Sequence, residues 1–326
     1  MLKSLTLEGW RNFSDQFALK PGRRLVIVGA NGSGKSNLIE AIRLLSVGKS
    51  FKTHTLEESI NFNQPYWRIK ADLTKDRAEL FYGRPFVGEP ISKKLSVNNT
   101  EVSLLDWYGR FPTVLFLPTD LAIVDGPPRQ RRRLFDSILW QTDRDFRQVA
   151  SRLAQTLFQR QLVLKKIKSR LLTVADLKPW TDLLEELTAT VQEKRRCLSE
   201  ELGLEGVELV YQPNLQPNSE AEIRLGVNLM GAQRDDWGII YLNRPAGKFA
   251  SRGQTRLIIT RLLVSQVNYL QAKLKTTPTI LLDDLASELD EESFRLVLDL
   301  AESWEQVVAT AVKPTTFPRD WPVVNL

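Results

Sequence analysis

Nine residues, GANGSGKSN (Gly29–Asn37), follow directly on the apolar run Arg24–Val28. Glycines at that density pack no core, but they free the backbone to turn tightly between a strand and a helix. Gly29, Gly34, Lys35 and Ser36 match the spacing G-x-x-x-x-G-K-S, and the strand before and helix after are the context such a match requires. A loop of this kind lets successive N–H groups converge on phosphate oxygens at a helix N-terminus, where the helix dipole also favours an anion. Lys35 is expected to reach the β and γ phosphates, and the Ser36 hydroxyl to ligate Mg²⁺. Ala30, Asn31, Gly32, Ser33 and Asn37 complete the nucleotide-binding loop. The plain alternative is a glycine-rich turn; a chance match has odds on the order of one per cent.

A phosphate loop needs a carboxylate from a neighbouring strand to hold the metal. Thr279–Asp283 reads as a buried strand ending in Asp283, placed for the Mg²⁺, with Asp284 next to it to orient or deprotonate an attacking water. In an extended segment adjacent side chains point opposite ways, so the two acids are expected to take different roles. Alone, the pair is no more than a strand end feeding a turn; beside Gly29–Ser36 it becomes catalytic chemistry, with Lys35. A second anion site is written at Phe249–Gln254, where Ser251, Gly253 and Gln254 open a helix. One nucleotide rarely needs two such sites in one protomer. The economical expectation is that these residues touch the γ-phosphate held by a second copy.

Strands are expected at Leu2–Leu7, Leu25–Val28, Tyr66–Leu73, Ala78–Tyr82 and Leu95–Val102, with Asn98-Asn99 as a hairpin turn. The helix behind the glycine loop carries Leu38, Ile42 and Leu45 at helical spacing. From about 129 to 200 the chain is helical and glycine-free. Phe146, Val149, Leu153 and Leu157 form one stripe, Leu184, Leu187 and Val191 another, with a break at Leu177–Trp180. Strands return at Val207–Tyr211, Ile239–Leu242 and Val307–Thr310, the last read as the final core strand; a helix spans Glu291–Trp304. Strands alternating with helices give an α/β class with a sheet covered on both faces. The expected organisation is a head from 1–125 plus 206–326, and an inserted, mainly helical lobe at 126–205.

Composition then removes whole classes of function. The single histidine, His54, makes a histidine metal cluster or a Ser-His-Asp triad untenable, and the single cysteine, Cys197, excludes an internal disulfide framework and fits a reducing compartment. The start of the chain alternates polar and apolar residues without a signal-peptide core, and Arg261 interrupts the longest apolar stretch. The expectation is a soluble, cytoplasmic protein without a membrane partner.

Taken in order, these motifs resemble the ABC-type ATPases, and more narrowly the SMC/Rad50/RecF group, in which an insertion separates the phosphate loop from the signature. Leu2–Phe13, Val47–Lys52, Leu117–Leu121, Gly126–Asp136, Gly231–Asp236 and Asp283–Asp290 are each similar to stretches of its RecF family. The sequence departs from that family at Trp10, Thr119 and Gln233, where phenylalanine, glutamate and histidine are usual; many ABC ATPases carry a γ-phosphate-sensing histidine where this chain has Thr310. The resemblance implies an ABC-type P-loop head, Rad50/SMC-like, that binds ATP and Mg²⁺, with Arg11 and Asp290 added to the nucleotide-binding set. It implies an ATP-dependent homodimer with slow, DNA-stimulated hydrolysis, acting on double-stranded and gapped DNA in gap repair, with RecR and RecO as partners. A nucleotide-binding scaffold without significant hydrolysis, or another ABC-type subunit, stays open.

The chain carries 45 Lys+Arg against 39 Asp+Glu, compatible with a polyanionic partner. Its sharpest basic clusters are Arg129, Arg131, Arg132 and Arg133, then Lys165, Lys166, Lys168 and Arg170. Such runs are ordinarily solvated helix faces. With the resemblance they become candidates for phosphate contacts on duplex DNA, sequence-independent because no base-reading motif accompanies them.

Overall fold

The computed structural model describes residues 1–86, 88–214, 219–314 and 317–326. The chain divides into two compact units: Met1–Asp120 with Ile259–Leu326, and Leu121–Ile258.

The first unit holds two sheets. Strands β1 (Leu2–Glu8) and β2 (Phe17–Leu19) precede β3 (Arg24–Val28), which feeds the glycine loop. Then come β4 (Tyr66–Leu73), β5 (Arg77–Gly83), β6 (Ser92–Val97), β7 (Thr100–Glu101) and β8 (Thr113–Phe116). The second unit contributes β9 (Val207–Gln212), β10 (Asp236–Tyr241) and β11 (Arg244–Pro245); β12 (Thr279–Leu282), β13 (Gln306–Ala311) and β14 (Val323–Asn325) return to the first. Its antiparallel sheet runs β2-β1-β4-β5-β6-β7, and its parallel sheet β14-β3-β13-β12-β8. The turn at Asn98-Asn99 has φ of 52° and 66°, the pair of left-handed residues a tight hairpin requires.

The helix Lys35–Val47 is the spine of this unit. Leu38, Ile39, Ile42 and Leu45 join Leu5, Leu7, Trp67 and Ile69 of the antiparallel sheet and Leu25, Ile27, Leu281 and Val308 of the parallel one in a single apolar cluster. Each such buried side chain contributes about 1.5–3 kcal/mol. With a sheet on either side, the helix is buried well beyond the expected stripe, Glu40 and Arg43 included. Arg43 answers by donating to the Thr113 carbonyl and hydroxyl, both at 2.7 Å.

Four short strands are not among those expected from the sequence: β2, β8, β11 and β14. β8 was hidden in the apolar run leading to Pro118, and β14, parallel to β3, lies beyond the strand expected to be last.

In the second unit the helices Pro128–Thr142, Arg144–Lys168 and Lys178–Glu201 accompany the antiparallel sheet β11-β10-β9. The expected lobe ended at 205, yet the described residues of 206–258 group with these helices. Arg131 forks onto Asp236 at 2.7 and 3.0 Å, Arg195 pairs with Asp136 and buried Asp235, and Trp237 lies against Phe135 and Tyr211. The break between the long helices falls earlier than expected. Arg170 turns at φ 60°, while Pro179 sits in the first turn of the next helix, where a missing N–H costs nothing.

Candidate nucleotide site

Parallel register gathers the site at one end of the sheet. Thr310 of β13 pairs with Ile27 of β3, and Ala309 with Leu282 of β12, so the glycine loop, Thr310 and Asp283 emerge side by side. They frame a cavity of about 440 Å³ lined by Asn31, Gly32, Gly34–Asn37, Lys52, Asp283, Asp284 and Thr310.

The loop's geometry demands its glycines. Gly32 and Gly34 have φ of 84° and 108°, a region L side chains rarely enter. A Cβ on Gly34 would lie 2.5 Å from the Asn12 amide, which donates to the Ser33 carbonyl at 3.0 Å and so clasps the loop. Asn37 donates to Asn12, and Lys52 to Asn37. The Lys35 ammonium folds back on the loop, donating to the carbonyls of Gly29 (2.8 Å) and Ala30 (2.9 Å).

Ser36 Oγ donates to Asp283 Oδ1 at 2.9 Å, and Thr310 Oγ1 donates to the same oxygen at 2.8 Å. Among the described residues both hydrogen bonds to Asp283 fall on Oδ1, which leaves Oδ2 for a ligand. A serine hydroxyl and one carboxylate suit Mg²⁺, a hard cation that takes few protein ligands and completes its shell with phosphates and water. Among the described residues no group of three or more His, Cys, Asp or Glu could hold a metal unaided.

Asp284 corrects the expectation of an extended acid pair. Its φ of 50° and ψ of 39° are left-handed, so the chain turns there, and both residues line one cavity. Lys52, at the end of the Val47–Lys52 stretch, lines the cavity as well, although no local pattern marks it as a ligand. Burial lowers its pKa, against the opposing pull of Glu40 and Asp283.

The other expected residues lie elsewhere. Arg11 is not among the cavity's lining: its guanidinium forks onto buried Glu40 at 2.9 and 2.7 Å and reaches the Glu58 carbonyl. Asp290 caps the helix Glu291–Ser303 by accepting the Ser293 N–H. Ser251 and Gln254, in the second unit, form a reciprocal cap at the start of the helix Arg252–Leu274. The Ser251 N–H donates to Gln254 Oε1 at 2.9 Å and the Gln254 N–H to Ser251 Oγ at 3.3 Å, with Gly253 exposed in that turn.

Of the basic clusters, Arg131 is buried in its Asp236 pair and Arg132 is half-buried on the Asp235 carbonyl, its pKa lowered chiefly by burial. Arg129 and Arg133 are exposed, as are Lys165, Lys166, Lys168 and Arg170 in and just beyond the last turn of their helix. Cations there complement the helix dipole as well as any polyanion.

A phosphate loop and an acid-tipped strand on one parallel sheet, beside an antiparallel sheet, define an ABC-type ATPase head. Residues 1–320 match the family described as RecF/RecN/SMC N terminal domain. The DNA replication and repair protein RecF of Heliobacterium modesticaldum is 32% identical over 336 residues, spanning 93% of this chain and 89% of that protein. RecF of Leptospira interrogans is 30% identical, spanning 95% and 91%. The chain belongs to the RecF family, ATP-binding proteins of DNA replication and repair. A solved structure of the recombination mediator protein RecF-ATP in the RecFOR pathway aligns with a TM-score of 0.84 at 25% identity, covering 96% of this chain and 92% of that one. Another, RecF-ATPrS, shares the fold at a TM-score of 0.87 and 24% identity, covering 100% and 96%. No described helix is long and apolar enough to cross a membrane.

Proposed function

We propose that the protein is an ATP-driven switch that closes as a homodimer on duplex DNA. The observation that carries this reading is the 2.9 Å bond between Ser36 and Asp283 at the mouth of the glycine loop, with Asp284 on the same cavity. Lys35 exchanges the two loop carbonyls for β- and γ-phosphate oxygens, a trade its flexible stem permits. Ser36 and Asp283 would hold Mg²⁺, which would neutralise charge on the phosphates. Asp284 accepts a hydrogen bond from the attacking water and orients it. Lys52 adds a second cation at the cavity wall.

Ser251, Gly253 and Gln254 of one copy meet the γ-phosphate held by the other, so nucleotide and dimer are linked. The nucleotide shifts the equilibrium only as far as it binds the closed dimer better. Exposed Arg129, Arg133, Lys165, Lys166, Lys168 and Arg170 supply a sequence-independent, salt-sensitive hold on phosphates. Slow, DNA-stimulated hydrolysis reopens the dimer. The setting is gap repair at single-strand/double-strand junctions, with RecR and RecO as partners; RecF relatives carrying replication and repair names, and a RecF structure described within the RecFOR pathway, support it.

Lys35→Ala tests the reading. It removes ATP-dependent dimerisation, seen by light scattering with and without ATP and Mg²⁺; an unchanged ATP-dependent dimer refutes the phosphate-loop assignment.

A further inference from the structure

We infer that Thr310 is a positioning residue for ATP hydrolysis, setting the geometry of the Asp283–Asp284 pair and acting on the rate far more than on ATP affinity; this rests on the nucleotide-site reading above. Thr310 is fully buried in β13, between β3 and β12. A hydroxyl has one proton to give and lone pairs to receive with. Here the proton goes to Asp283 Oδ1 at 2.8 Å, and a lone pair takes the Asp284 N–H at 2.9 Å. Ser36 Oγ donates to that same Oδ1. One chain of hydrogen bonds therefore runs from the Asp284 backbone through Thr310 and Asp283 to the phosphate loop.

Its end point is the strained one. Asp284 is left-handed, a conformation unfavourable for a residue with a Cβ unless something local holds it. The N–H bond to Thr310 is such a hold. An extended Asp284 would turn its carboxylate away from the face Asp283 serves. Removing the hydroxyl leaves the Asp284 N–H without its acceptor and Asp283 with one donor fewer. Among the described residues the loop backbone and the Lys35 ammonium have no hydrogen bond to Thr310, so their own hold on the phosphates is expected to survive its loss. Where an imidazole could reach the γ-phosphate itself, this shorter side chain acts through the two acids.

The test compares Thr310→Val, which keeps the shape, with Thr310→Ser, which keeps the hydroxyl, in the full chain. A fluorescent ATP analogue gives Kd, and single-turnover hydrolysis at saturating ATP and Mg²⁺ gives the rate. Thr310→Val is expected to leave Kd within about threefold while the rate falls about 100-fold, the cost of misplacing a catalytic group. Thr310→Ser returns the rate to within about threefold of wild type, and in an Asp284→Asn background Thr310→Val lowers it no further, because both act at one step. Wild-type turnover in Thr310→Val, a serine variant as slow as valine, or losses that multiply in the double variant each overturn the inference. If Thr310→Val lacks a cooperative thermal transition, Thr310→Ala carries the same expectations. A wild-type chain that neither binds nor hydrolyses ATP overturns the nucleotide-site reading instead, and this inference with it.

Discussion

Arg160 and Glu222 stand 62 positions apart, and both are fully buried. Their pair, with Arg160 Nη2 donating to Glu222 Oε2 at 2.7 Å, also recruits Asn228 and the N–H groups of Leu229 and Met230. Such a pair stabilises little against an apolar replacement, but losing one partner strands a charge. Glu222→Ala is therefore expected to destabilise the second unit by about 3–5 kcal/mol, read as a lower urea midpoint, while Arg160→Met with Glu222→Leu costs far less. Equal midpoints for wild type and Glu222→Ala would remove the pair from this role. The same residues mark what the sequence leaves unreadable. Arg131 and Arg160 look like members of a solvated basic face, because their partners lie 105 and 62 positions away and only the fold brings them close. Gly34, Lys35 and Ser36 were legible because their chemistry is local: the loop's turn, its helix and its ligand are specified within nine residues. Lys52 and Glu40 carried no such local pattern.

Among the elements, the phosphate-loop helix is held at both ends. At its far end Lys93 of β6 donates to the Gly48 carbonyl at 2.6 Å. Burial is the main cause lowering its pKa from 10.5 to about 8, with Lys49 adding repulsion. The unfolded chain keeps that proton up to about 10.5 while the folded chain releases it near 8, so between them the unfolded state binds more protons and this group's contribution to stability rises with pH. Thermal melts at pH 7.5 to 10.5, as about half-unit steps, should show wild type gaining on Lys93→Met across that window; parallel curves would contradict it.

At the helix Arg252–Leu274, the reciprocal cap of Ser251 and Gln254 is a structural job that coexists with the proposed trans contact. Ser251→Arg loses the cap, worth about 1 kcal/mol, and is expected to bind ATP yet stay monomeric. Normal ATP-dependent dimerisation in that variant would leave the cap as the motif's whole purpose. Long periodic helices and apolar strands were readable from spacing. The four-residue β8 and three-residue β14 were not, since strands that short are defined by their neighbours more than by their own composition.

For the whole molecule, RecF-family membership and the ABC-type fold give the frame, and the order of motifs along the chain had already carried both. The extent of the second unit was harder to read, because β9 and β10 alternate like any sheet and only their packing on helices assigns them. What makes the head a machine is the proposal that its nucleotide site is finished by a second copy. ATP turnover per protomer, followed across rising protein concentration with and without duplex DNA, tests that most directly. A site completed in trans makes turnover climb with concentration and climb again when duplex is added. Turnover per protomer that stays flat across concentration and indifferent to DNA would contradict it, and the exposed arginines and lysines would return to being solvated helix faces.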